Sequence, residues 1–93
     1  MRFPLFDPGG QDREAATIRR LSAEGTLWRV RVESWASDGG VAGRFVFEPD
    51  EPRSMYAPRA SGPTLRAERR EEVVAAAYEM PETRLRELLH SLG

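Results

Sequence analysis

Residues 26–48 read TLWRVRVESWASDGGVAGRFVFE, and the Asp38-Gly39 pair in their middle decides the fold. Asp-Gly between two alternating runs is a favoured two-residue hairpin turn, because glycine takes a positive φ at little steric cost. Closing the turn with Ser37 opposite Gly40 sets every other pair. Val32 then faces Phe45 and Val30 faces Phe47, apolar on apolar. On the opposite face Glu33 meets Arg44 and Arg29 meets Glu48, each pair opposite in charge. Such pairs contribute roughly 0.2–1 kcal/mol each. Their agreement on one register is the stronger constraint, since a one-residue slip sets Arg against Phe.

Working upstream, Ala23-Glu24-Gly25 suits a three-residue hairpin loop with Gly25 in the left-handed position. Ser22 then pairs with Thr26, Arg20 with Trp28, Ile18 with Val30 and Ala16 with Val32. This puts Ile18 and Ala16 on the face of Trp28, Val30, Val32, Phe45 and Phe47, at the cost of Arg19 opposite Arg29. The competing reading of residues 12–24 is a helix capped by Asp12 and Gly25. That helix would offer only Ile18 and Leu21 as large apolar residues, so a strand over 15–22 is preferred. Earlier still, residues 1–13 hold Phe3, Leu5 and Phe6, read as cover for the sheet or as a partner contact. The turn Asp7-Pro8-Gly9-Gly10 follows.

Downstream, residues 49–66 form a Pro-rich connection (Pro49, Pro52, Pro58, Pro63). Met55 and Tyr56 are candidates for a short edge strand, where proline is tolerated, and Thr64 to Arg66 for an extended piece. From residue 68 to 92 the pattern turns helical. Val73, Val74, Ala77, Tyr78 and Met80 make one apolar stripe, with Glu71 and Glu72 where the helix dipole favours them. Pro81 interrupts and suits a helix start, so a second helix begins at Pro81 or Glu82. There Leu85, Leu88, Leu89 and Leu92 recur on one face, which packs on the sheet or serves a partner helix.

The expectation is an α+β, two-layer single domain over residues 1–93. A three-stranded antiparallel meander (15–22, 26–36 and 41–48, spanning 15–48), with a possible fourth strand, is covered on one face by two C-terminal helices. A chain of 93 residues has room for one thin core, burying only about 60–65% of its unfolded surface.

Composition then bounds function. The chain has 14 basic and 15 acidic residues, for a net charge of −1, and every basic residue is Arg; Lys and Asn are absent. A GC-rich bacterial genome accounts for that bias, so Arg clusters carry less functional information than usual. No cysteine is present, which removes disulfides, thiolate nucleophiles and thiolate metal sites and suits a reducing cytoplasm. The opening residues hold no apolar run of signal-peptide length. No stretch approaches the roughly 20 apolar residues of a transmembrane helix, so no membrane partner is expected.

No catalytic constellation is legible. His90 is the single histidine, without companions for a metal, and sits where a cation complements a helix C-terminus. Glu48, Asp50 and Glu51 read as a solvated acidic loop rather than a cation site. Gly9-Gly10 and Gly39-Gly40 lack the strand-to-helix context of phosphate and dinucleotide loops. Neither catalysis nor a cofactor nor a bound metal is expected.

Two surfaces stand out as binding candidates. Trp35 falls on the charged face near the hairpin tip, with Val46 and Leu27. It is either covered by the helices or Arg stems, or forms with Arg31, Arg44 and Val46 an apolar spot rimmed by arginine, a composition favoured at protein contacts. The leading expectation is therefore a small non-catalytic interaction or accessory protein with a protein partner or a second copy of itself. The alternative is nucleic-acid binding through Arg53, Tyr56, Arg59, Arg66, Arg69 and Arg70, a basic stretch with an interleaved aromatic. Against it stands the absence of a basic excess overall.

Overall fold

In the computed structural model, residues 14–51 and 54–93 are described. Phe3, Leu5, Phe6, the Asp7–Gly10 turn and Arg53 lie outside them. Three long strands, β1 (Glu14–Ala23), β2 (Thr26–Ser37) and β3 (Gly40–Pro49), form an antiparallel meander. Two short strands, β4 (Arg59–Ala60) and β5 (Leu65–Ala67), both pair with β3 and together make a broken fourth row. Two helices follow, α1 (Arg70–Glu79) and α2 (Glu82–Ser91). The fold is α+β, an antiparallel sheet followed by two C-terminal helices.

The β2–β3 register is the one the alternation dictates. Ser37 is opposite Gly40, Val32 opposite Phe45, Val30 opposite Phe47, Glu33 opposite Arg44 and Arg29 opposite Glu48. Gly39 supplies a positive φ of 76° at the bend, while Asp38 stays in the ordinary negative range.

The β1–β2 hairpin departs from expectation in a specific way. Its loop is two residues long, Glu24-Gly25, with φ of 53° and 77°. Two successive positive φ values match the strand twist, and this is why the shorter loop closes well even with a non-glycine residue in it. Ala23 therefore pairs with Thr26, Ser22 with Leu27, and Leu21 rather than Arg20 with Trp28. Taken alone, that shift would turn Ala16 to the wrong face. A β-bulge between Thr17 and Arg19 inserts the extra residue and restores Ala16 opposite Val32. Ile18 is buried at the bulge, and Arg19 donates from Nη2 to the Tyr78 carbonyl in the last turn of α1 (2.7 Å). The expected clash of Arg19 with Arg29 is replaced by Arg20 opposite Arg29.

The edge strand also lies elsewhere than expected. Met55 and Tyr56 belong to no strand, and Met55 is fully exposed. Pairing with β3 instead runs through Phe47 opposite Arg59 and Val46 opposite Ala60, and resumes at Gly43 opposite Leu65. Ser61 bridges the break: its N–H donates to the Phe45 carbonyl (2.9 Å) and its Oγ accepts from the Phe45 N–H (3.0 Å). A side chain thus stands in for a backbone acceptor, and Pro63, which has no N–H to offer, falls in the interrupted part.

One core cluster joins the sheet to the helices. Trp28, Val30, Val32, Phe45 and Phe47 pack with Ile18, Leu21, Leu65, Val73, Ala77, Leu85 and Leu89. Both helices therefore cover the same sheet face. Gly43 makes this approach possible: a Cβ there would lie 2.5 Å from Val73 Cγ1. On α1 the stripe is narrower than expected, since Tyr78 is half-exposed and points away from the core. Glu72 reaches back to accept the N–H groups of Glu68 and Arg69 (both 3.2 Å), satisfying donors that the first turn leaves unpaired. On α2, Leu85 and Leu89 are buried while Leu88 and Leu92 pack at the margin, so the leucine stripe belongs to the core.

Candidate interaction surface

Strand alternation delivers a second face, on which neither helix packs. β2 contributes Arg29, Arg31, Glu33 and Trp35; β3 contributes Ala42, Arg44, Val46 and Glu48. Directly opposite them stand Arg20 on β1, Ala60 on β4 and Arg66 on β5. Across one row the order is Trp35, Ala42, Arg66. Trp35 is half-buried there, and Ala42 and Val46 are buried although no helix lies above them.

The charges form a cross-strand lattice. Arg44 donates from both Nε and Nη2 to Glu33 Oε1 (2.9 and 2.8 Å). Glu48 sits opposite Arg29 as expected, yet its carboxylate turns along the diagonal to Arg31 Nη1 (3.1 Å). Arg29 turns instead to Asp50, just past the end of β3 (3.5 Å), and Arg20 reaches the other oxygen of the same carboxylate (3.1 Å). Asp50 thereby offsets the repulsion of two arginines placed directly opposite each other. These pairs are half-exposed, so each contributes only about 0–1 kcal/mol. Their consequence is geometric: they hold the guanidinium groups in fixed positions on a sheet.

A separate polar cluster closes the other end of the molecule. Arg59, mostly buried, donates to both carboxylate oxygens of Glu24 (3.0 and 3.2 Å) and to the Leu89 carbonyl near the end of α2 (3.1 Å). Its guanidinium lies 4.8 Å from the Trp28 ring centroid and 5.4 Å from that of Tyr56. Tyr56 donates its hydroxyl to the Glu24 carbonyl (2.9 Å), and His90 Nδ1 stands 3.4 Å from Glu24 Oε2. The Arg59 hydrogen bonds hold the Glu24 carboxyl below its ordinary range, aided by His90 and opposed by partial burial. One arginine therefore ties together the first hairpin turn, the edge row and α2. Nothing in the local sequence signals this, because Glu24 and Arg59 are 35 residues apart.

The six residues of the basic-stretch alternative are dispersed accordingly. Tyr56 and Arg59 belong to the Glu24 cluster. Arg66 lies on the lattice face, and Arg69 precedes α1 at the surface. Arg70 donates to buried Ser34 Oγ (3.0 Å) and pairs with Glu14 (2.9 Å). Arg53 lies outside the described residues. The structure brings together Arg31, Arg44, Val46 and Trp35, all on the lattice face.

As for chemistry, the two buried serines are both committed: Ser34 accepts from Arg70, and Ser61 is spent on backbone. Among the described residues, no group of three His, Asp or Glu side chains could hold a metal ion. Among them too, no helix is long and apolar enough to cross a membrane. Comparison with family models, curated proteins and solved structures finds no match to this chain.

Proposed function

We propose that this chain is a small non-catalytic interaction module that contacts a protein partner through the lattice face of its sheet. The observation carrying this reading is that both helices pack on one face, while the other presents Trp35, Arg31 and Arg44 around buried Val46. Aromatic and arginine side chains on a rigid support are the types that dominate protein contacts. Strands hold them more firmly than loops do, so less side-chain freedom is lost on binding.

Trp35→Ala tests it. Trp35 is half-buried on the face away from the helices, so the variant should stay folded and lose less than the roughly 3–5 kcal/mol of truncating a fully buried tryptophan. Its capture of partners from an extract of the native host should nevertheless fall. Loss of the fold would show that Trp35 is an interior residue and would end the proposal. Light scattering at several concentrations distinguishes a second copy of this chain from a different partner.

A further inference from the structure

We propose that the partner of the lattice face is an acidic polypeptide segment, an assignment that rests on that face being the contact surface. The support is an uneven distribution of charge across the two layers. The face carries Arg20, Arg29, Arg31, Arg44 and Arg66 against Glu33, Glu48 and Asp50. The helical segment from residue 68 onward carries Glu68, Glu71, Glu72, Glu79, Glu82 and Glu87 against Arg69, Arg70, Arg84 and Arg86. Among the described residues, the lattice face thus carries an excess of positive charge and the helical segment an excess of negative charge.

Donors, too, exceed acceptors on that face. A guanidinium has five N–H groups. Arg31 gives one nitrogen to Glu48, and Arg66, exposed on β5, makes no ion pair among the described residues. A carboxylate meets such donors in two-pronged fashion.

The same features disfavour other occupants. A second copy placed face to face would oppose arginine excess to arginine excess. A sheet-to-helix contact between copies would be head-to-tail, and such contacts build open chains unless the rotation closes. Single-stranded nucleic acid binds on successive aromatic platforms, and this face holds one tryptophan.

The test uses the full chain and a labelled peptide as long as β2 (12 residues) that alternates Glu with Leu, followed by fluorescence anisotropy. A Lys-Leu counterpart and an oligo(dT) strand serve as the comparison probes. The acidic peptide should bind. Its affinity should fall roughly tenfold between ~0.02 and ~0.15 M salt as surface charges are screened, and roughly fivefold or more in Arg66→Glu. Arg66 is exposed, so that variant keeps the fold, as circular dichroism would verify; Arg31→Gln gives an independent check. Equal binding of the Lys-Leu peptide, preference for oligo(dT), or indifference to both variants would overturn the assignment. So would a concentration-dependent dimer abolished by Arg66→Glu. If the acidic peptide fails while Trp35→Ala still lowers host-partner capture, the surface stands and the acidic partner falls. If Trp35→Ala has no effect either, both fall.

Discussion

Replacing Gly43 with alanine tests how α1 is seated on the sheet. The added Cβ would stand 2.5 Å from Val73 Cγ1, 3.3 Å from the Glu33 carbonyl oxygen and 3.5 Å from Leu65 Cβ. Carbon atoms in contact prefer about 3.5–4.0 Å, so Val73 must retreat by roughly 1 Å. Valine in a helix is held to essentially one χ1 rotamer, so the methyl cannot swing aside and α1 itself has to move. Overpacking of this kind costs about 1–3 kcal/mol. Alanine in place of a strand glycine would by itself gain roughly 0.5–1 kcal/mol through the unfolded chain. The clash is the larger effect, and a net loss of about 1–2 kcal/mol follows. Urea unfolding followed by tryptophan fluorescence should show a lower midpoint with an unchanged slope. Adding Val73→Ala removes the colliding methyl, so the double variant should be more stable than the sum of the singles by at least about 0.5 kcal/mol. A Gly43→Ala protein as stable as wild type, or strict additivity in the cycle, would refute the close seating of α1.

Two further outcomes follow from the first hairpin and the Arg59 cluster. Gly25 holds a φ of 77° in open space, so Gly25→Ala meets no neighbour and should still lose about 1–2 kcal/mol from backbone conformation alone, read from thermal or urea unfolding. Glu24 has a folded-state pKa below its unfolded one, so the stability it brings is fully present above the usual carboxylate range of about 4.3. That contribution is lost as pH falls through the lowered value. The gap in urea midpoint between wild type and Glu24→Gln should therefore close on acidification, and a gap that widens would contradict the Arg59 pairing.

Reading the chain residue by residue reaches some of these features and not others. Val30, Val32, Phe45 and Phe47 declare their face because each strand alternates and the bend between them is only two residues long. Pro81 marks the helix break because it lacks an N–H and is pre-shaped for a first turn. By contrast, the Ala23-Glu24-Gly25 stretch is compatible with two loop lengths, and the choice falls to Leu21, which is buried only in the shorter one. The bulge at Ile18 follows from that choice, since Ala16 must return to the core side. Tyr56 and Arg59 resemble an exposed basic stretch until Glu24 and Leu89 arrive from elsewhere in the fold. For the lattice face, Arg31, Arg44, Val46 and Trp35 are assembled as the alternation requires, whereas Arg20 and Arg66 join them only through the paths of β1 and β5.

By itself, then, the amino-acid order determined the β2–β3 register, the apolar side of the sheet and the division of the C-terminal segment into two helices. Each of these rests on neighbours along the chain or across one tight turn. Tertiary structure alone decided the first loop length, the compensating bulge, the broken edge row and the partners of Arg19, Arg29 and Arg59. Those depend on groups as much as 59 residues apart, Arg19 and Tyr78 being the extreme. Their pairing is settled by which donors and charges the closed layers bring within reach of one another, and no local pattern encodes that.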